Sequence, residues 1–139
     1  MLAPYADSHV CWRTPGIARP NVFEIDLDAV VHNVQQTKQF VGPDVRVFAA
    51  VKANGYGFGL LPVGRALQDA GVDALAVTDV LDRAVLAERG ISPPVLVYGG
   101  NHIDADVVRA IETHGFFATI TRRAVVVALA ASGCKERRK

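Results

Sequence analysis

The chain has 139 residues, 50% of them hydrophobic and 21% charged, a composition that excludes a disordered, collagenous or low-complexity chain and fits one globular domain. At that length a single core forms without disulfide staples, and Cys11 and Cys134 stand near opposite ends with no Cys-x-x-Cys pattern. A disulfide framework and a metal knuckle are therefore not expected, and a reducing cytoplasm is. Lys and Arg number 15 against 14 Asp and Glu, and the last five residues hold four of the bases and one of the acids, leaving 11 against 13 in the body. Such a balance gives no nucleic-acid-binding face, and the tail from Lys135 to Lys139 reads as a solvated end. No apolar run approaches the roughly 20 residues that a bilayer requires, and the first 20 residues lack the continuous apolar stretch of a secretory signal.

Residues 1–21 mix Pro, Gly and scattered charges without periodicity and are expected to form a loosely ordered lead-in. A folded domain is expected over 22–134, with 135–139 as a basic tail. Over Val22 to Leu27 apolar and acidic residues alternate from Phe23 onward, which predicts a strand exposed on one face. Asp28 is expected to cap a helix that runs to about Phe40 and stops at Gly42-Pro43. A pattern then repeats four times: a short apolar run, turn residues, an amphipathic helix and a terminating Gly. The runs are 45–51, 74–77, 95–98 and 116–120. Leu60, Val63, Leu67 and Ala70 mark the first helix face, with Gly71 as a left-handed terminator. Thr78 or Asp79 is expected to cap the second helix and Gly90 to close it; Asp104 and Gly115 bracket the third, Thr121 and Gly133 the fourth.

Short strands that are apolar on both faces and separated by helices predict an α/β fold with a parallel sheet. A doubly wound domain fits 139 residues, whereas a complete (β/α)8 barrel needs at least about 200, so a chain of a barrel family would supply only the first half. In the barrel case the four runs lie side by side in sequential order, and the strand at 22–27 stands outside their sheet.

The segment with chemistry is Phe48-Ala-Ala-Val-Lys-Ala-Asn-Gly-Tyr-Gly-Phe-Gly59. Strand alternation puts Val45, Val47, Ala49 and Val51 on one face, toward helices, and Arg46, Phe48, Ala50 and Lys52 on the other. Lys52 is thereby expected at the carboxyl end of a buried strand, where α/β proteins bind ligands. Ala50 leaves room beside its amine, and Gly55, Gly57 and Gly59 permit a tight backbone path. The loop is neither a Walker loop nor Gly-x-Gly-x-x-Gly, because Leu60 stands where the third Gly is required. His9, His32, His102 and His114 have no spacing suited to a shared metal, and no metal site is expected.

Val51-Lys-Ala-Asn-Gly-Tyr-Gly-Phe-Gly59 resembles the cofactor-lysine signature of the alanine racemase family, fold-type III pyridoxal-phosphate enzymes. The flanks Glu24 to Ala29 with Asn33, Gly71 with Ala74 to Val77, Arg89-Gly90-Ile91 and Pro94 to Gly99 are similar as well. The resemblance implies the first half of a (β/α)8 barrel, pyridoxal 5'-phosphate as cofactor and racemisation of a small amino acid, alanine foremost. It implies that Lys52 holds the cofactor and serves as one of two bases, that Tyr56 contacts the cofactor phosphate, and that Leu96 and Tyr98 line the pocket. The second base, a Tyr, would come from a C-terminal β domain of the partner in a homodimer. On its own the 139-residue chain is expected to self-associate and not to racemise. Family members commonly have His at the position of Phe58, Ala at that of Gly55 and Glu near that of Arg83. Two other readings stand beside this one: a fold-type III decarboxylase, which shares a shorter Ala-Val-Lys-Ala-Asn core, and a non-catalytic cofactor-binding fragment.

Overall fold

The computed structural model describes residues 23–99, 113, 115, 117–120 and 123–131. The lead-in, the basic tail and most of the third expected helix, including Asp104, lie outside the described residues, as do Thr121 and Gly133. Helix α1 spans Leu27–Val41, followed by strand β1, Phe48–Ala50, the short turn α2, Lys52–Tyr56, and α3, Leu60–Asp69. Strand β2 is Ala74–Val77, α4 is Val80–Glu88, β3 is Val95–Val97, β4 is Phe117–Ala118 and α5 is Arg123–Ala131.

The four strands form one parallel sheet in the order β1-β2-β3-β4. A doubly wound sheet would extend on both sides of β1, whereas here β1 lies at one edge and each later strand is added on the same side. This is the sequential order of a barrel wall.

Two expectations at the start of the domain are corrected. Residues 23–26 form no strand, and Phe23 is 93% exposed. An alternating run becomes a strand only when a neighbour takes up its backbone hydrogen bonds, and no strand among the described residues pairs with it. The helix cap is Asp26 and not Asp28: Asp26 has extended backbone and its Oδ1 accepts from the Ala29 amide at 3.0 Å. Asp28 instead sits in the first turn, where its charge complements the helix dipole.

Strand β1 is shorter than the expected 45–51. Val45 lies before it, half exposed, in the turn out of α1. The approach is fixed by a reciprocal clamp, in which the Val47 amide donates to Asp73 Oδ2 at 2.8 Å and the Asp73 amide donates to the Val47 carbonyl at 3.1 Å. Lys38, in the last turn of α1, lies 3.5 Å from the same carboxylate and donates to the Gly71 carbonyl. One carboxylate thus joins α1, β1 and the entry to β2.

Helices cover one face of the sheet. Val51, Leu75, Val77, Val95 and Val97 pack there with Val34 of α1, Leu60, Val63 and Leu67 of α3, and Leu86 of α4. On the opposite face the register aligns Ala50, Ala76, Leu96 and Phe117 in one row, and Phe48 and Phe117 are about half exposed. The expected terminators take left-handed backbone, with φ of +75° at Gly71, +70° at Gly90 and +59° at Gly115. Asp79, of the two candidate caps, is the one that caps α4, accepting from the Leu81 amide at 2.8 Å. No helix among the described residues is long and apolar enough to cross a membrane.

Two measurements check this account. Leu75 is fully buried in the second strand, so Leu75→Ala should lower unfolding free energy by about 2–5 kcal/mol in urea titrations. The second concerns pH. The Val47 amide, and after it Lys38 and Arg46, hold the Asp73 carboxyl below the usual carboxylate range against the desolvation that pushes it up. A carboxyl depressed in the folded state stabilises above its unfolded pKa of about 3.9, and that contribution vanishes as pH falls through the folded value. Asp73→Asn should therefore flatten the stability loss of the parent below about pH 4; an unchanged acid limb would show that Asp73 is not the responsible group.

Candidate active site

Beyond Val51 the backbone leaves the sheet in a left-handed turn. Val51 still belongs to the sheet, its amide donating to the Ala76 carbonyl at 2.9 Å. Ala53, Asn54, Gly55, Tyr56 and Gly57 then follow with φ of +52°, +56°, +62°, +57° and +87°. Left-handed backbone costs a residue with a β-carbon about 1–2 kcal/mol, and here Ala53, Asn54 and Tyr56 incur it in one stretch of five. Runs of that kind persist only where the surroundings over-determine them, and they cluster at functional sites.

The determinants are visible. Within the turn Gly55 donates to the Val51 carbonyl at 2.9 Å, Gly57 to Ala53 at 3.0 Å and Gly59 to Asn54 at 2.9 Å. Asn54 Oδ1 accepts from the Leu60 amide at 2.8 Å, which satisfies a first-turn donor of α3 in place of its N-cap, Gly59. Leu60 is 1% exposed, so the turn is tied through Asn54 to a helix anchored in the core. Gly55 is buried, and a β-carbon on it would stand 3.5–3.6 Å from Leu60 and Val63, ordinary contact. Alanine fits the space there, and only the left-handed φ opposes it.

The turn puts Lys52 and Tyr56 together. Lys52 is half-buried, and its Nζ lies 6.0 Å from the centroid of the Tyr56 ring, the outer range of a cation–π contact. Alternation is as the sequence predicts at the strand end: Val51 is fully buried against helices while Ala50, on the face shared with Lys52, is exposed. Continuing the register places Thr78, Tyr98 and Thr119 in the row of Lys52 along the carboxyl rim. Leu96 and Tyr98, both half-buried, belong to this open face and its rim, two strands away from Lys52. Phe58 is 56% exposed. Arg83 lies on α4, where burial pushes its guanidinium pKa down. At the start of the same helix, burial and then the neighbouring Asp79 push the Asp82 carboxyl up. Two acids make that helix start a poor seat for an anion. Among the described residues no group of three or more His, Cys, Asp or Glu side chains could hold a metal ion.

Residues 25–139 match the family described as "Alanine racemase, N-terminal domain". The chain belongs to this family. It is 41% identical over 97 residues to the alanine racemase of a Nostoc species, covering 70% of this chain and 25% of that protein. With alanine racemase 2 of Caldanaerobacter subterraneus it shares 46% identity over 81 residues, 58% of this chain and 21% of the other. Among solved structures, alanine racemase from Oenococcus oeni superposes with a TM-score of 0.68 at 30% identity, over 78% of this chain and 30% of that one. Alanine racemase from Bacillus anthracis with bound L-Ala-P gives 0.69 at 33% identity, over 75% and 26%. The chain thus spans about a quarter of the length of the curated relatives it matches. The neighbours carry the barrel architecture, so the four-stranded sheet is the N-terminal part of an alanine racemase TIM-type barrel.

Sequence reasoning passed over Asn54. An Asn-Gly pair is a signal for left-handed backbone, and it stands at 54–55. If Asn54 pins the turn, Asn54→Ala should cost about 1–2 kcal/mol of unfolding free energy, through the lost cap and the poorer left-handed residue. Asn54→Asp, which keeps the acceptor, should cost clearly less; equal losses in chemical denaturation would remove the cap from the account.

Proposed function

We propose that this chain is the cofactor-lysine portion of a pyridoxal-phosphate-dependent amino-acid racemase, with alanine as substrate. The observation that carries the reading is Lys52, an amine just past the carboxyl end of β1, on the face opposite the packed helices. β1 is an edge strand with Phe48 and Ala50 exposed, and not the buried strand expected from the sequence. The donor set suits pyridoxal phosphate: a primary amine for its aldehyde carbon, a phenol one turn away at Tyr56 for its phosphate, and small Ala50 beside them. When bound, the cofactor supplies an electron sink that acidifies the α-proton of an amino acid.

The chain's own residues then have distinct tasks. Lys52 would hold the cofactor through its amine, and that amine would take or return a proton at the substrate α-carbon. Tyr56 donates its hydroxyl to the phosphate. Leu96 and Tyr98 exclude water along the pocket wall. Racemisation needs a second base on the opposite face of the α-carbon, and the family resemblance assigns it to a tyrosine of the partner subunit in a homodimer. The reaction is set in the cytoplasm, in keeping with two cysteines far apart in sequence. Racemisation is favoured over decarboxylation because the relatives above are named racemases and the Gly55-Tyr56-Gly57 continuation goes with them.

The test is covalent trapping. The purified protein is incubated with pyridoxal phosphate, reduced with borohydride and digested, and the label is expected on the peptide containing Lys52 and absent from Lys52→Ala. Label confined to other lysines, such as Lys38 or Lys135, would refute the assignment. In the enzyme completed by its second-base domain, Lys52→Ala should abolish conversion of L-alanine to D-alanine.

A further inference from the structure

The tightest main-chain approach among the described glycines is at the rim of the site. A β-carbon built on Gly99 would stand 2.1 Å from the Thr78 carbonyl oxygen, 3.0 Å from its carbon and 3.2 Å from the Thr78 α-carbon. The neighbour is backbone, so no side-chain rotation can relieve the overlap. By contrast, Gly42, Gly57, Gly71, Gly90 and Gly115 have nothing within 4 Å of such an atom. Their requirement is a left-handed φ; that of Gly99 is space.

The place of this contact gives it meaning. Thr78 is the first residue after β2 and Tyr98 the first after β3. The β2–β3 ladder runs one bond past the strands, the Tyr98 amide donating to the Val77 carbonyl at 2.9 Å. At the next residue the two chains touch directly, Gly99 against Thr78. One residue later than Thr78, Asp79 caps α4, so Thr78 lies between a ladder bond at Val77 and a helix cap at Asp79. Ordinary contact between carbon and oxygen needs well over 3 Å, and a side chain at 99 would have to push the exit of β3 away from that of β2 by about an ångström.

We infer that Gly99 is a positioning residue of the site: its bare α-carbon locks the exit of β3 onto that of β2 and so fixes Tyr98 on the rim that carries Lys52. The inference rests on the proposed cofactor role of Lys52 only for its consequence in binding; the lock itself is a property of the fold. Gly99 touches no reacting atom.

The experiment compares Gly99→Ala with the parent and with Gly90→Ala. The second variant puts the same side chain on a left-handed glycine that touches nothing, at the far end of α4. In the cofactor-free proteins, amide hydrogen exchange is followed at Tyr98, whose bond to Val77 adjoins the contact, and at Val51, bonded to Ala76 one strand away. Gly99→Ala should speed exchange at Tyr98 about tenfold or more relative to Val51, as for local opening, while Gly90→Ala leaves that ratio unchanged. Equal acceleration at both amides, or none at Tyr98, would overturn the lock. The second arm repeats the borohydride trapping at limiting pyridoxal phosphate. Label on Lys52 should fall between tenfold and a hundredfold in Gly99→Ala, the scale of an ångström misplacement, and stay at the parental level in Gly90→Ala. Undiminished label beside accelerated Tyr98 exchange would overturn the positioning role. A parent that takes no label at Lys52 refutes the cofactor reading instead, and the exchange ratio still decides the lock.

Discussion

The Asn54 side chain ties the left-handed turn after β1 to the helix that follows it. Five consecutive residues after Lys52 have left-handed backbone, and three of them have β-carbons. Left alone such a stretch would relax to right-handed or extended geometry, since each of those residues costs about 1–2 kcal/mol. It is held because the turn's carbonyls are taken up inside it and because Asn54 Oδ1 takes the Leu60 amide. Leu60 in turn cannot move, being buried beside Val51 and Val77. The strain next to Lys52 is therefore offset by the packing of α3. Strand, turn and helix are linked by the Val51, Asn54 and Leu60 bonds.

The sheet divides its labour by face. On the helix side a continuous layer of Val and Leu supplies the burial that stabilises the domain. The other face is lined at its centre by small or half-buried residues, Ala50, Ala76 and Leu96, and ends at the rim holding Lys52 and Tyr98. Mutations on the first face remove core packing, whereas those on the second leave that layer intact. The clamp of Asp73 with Val47 and Lys38 lies at the amino ends of β1 and β2, away from that rim, so it sets strand register without touching the site.

Much of this was legible in the residues, for reasons that differ by element. Ala74 to Val77 is an apolar run between Asp73 and Thr78-Asp79, and it forms a strand with those bounds. Leu60, Val63 and Leu67 recur at helical spacing, and all three are buried on α3. Other features escaped. The run at 22–27 is expected to form a strand, but periodicity does not say whether a partner strand exists, and residues 23–26 have none among the described residues. Asp28 and Asp26 are both good caps by type, and only backbone geometry chose Asp26. The left-handed turn left a partial trace, Asn54-Gly55, because nothing about Ala53 or Tyr56 as residue types favours positive φ. Tertiary bonds impose it there, and a sequence pattern read locally does not contain them. Gly99 stands in a flank that resembles the family, yet its reason, the Thr78 carbonyl, lies 21 positions back along the chain.

The departure at Phe58 shows how such a site tolerates change. Where the family resemblance leads one to expect His, this chain has an aromatic ring that is 56% exposed. The residue is tied to the turn by its main-chain amide, which donates to the Gly55 carbonyl at 3.1 Å. Any residue other than proline makes that bond, so the left-handed path does not depend on the identity of residue 58. Gly55 in place of alanine acts the other way on energy, because it removes one β-carbon from a left-handed position that has room for it but disfavours it. Asn54 has no such latitude. Its carbonyl and its side-chain oxygen are both engaged, with Gly59 and Leu60, and a residue there must have a short acceptor and accept positive φ. Asparagine and aspartate meet both conditions well, which places this backbone requirement two residues beyond Lys52.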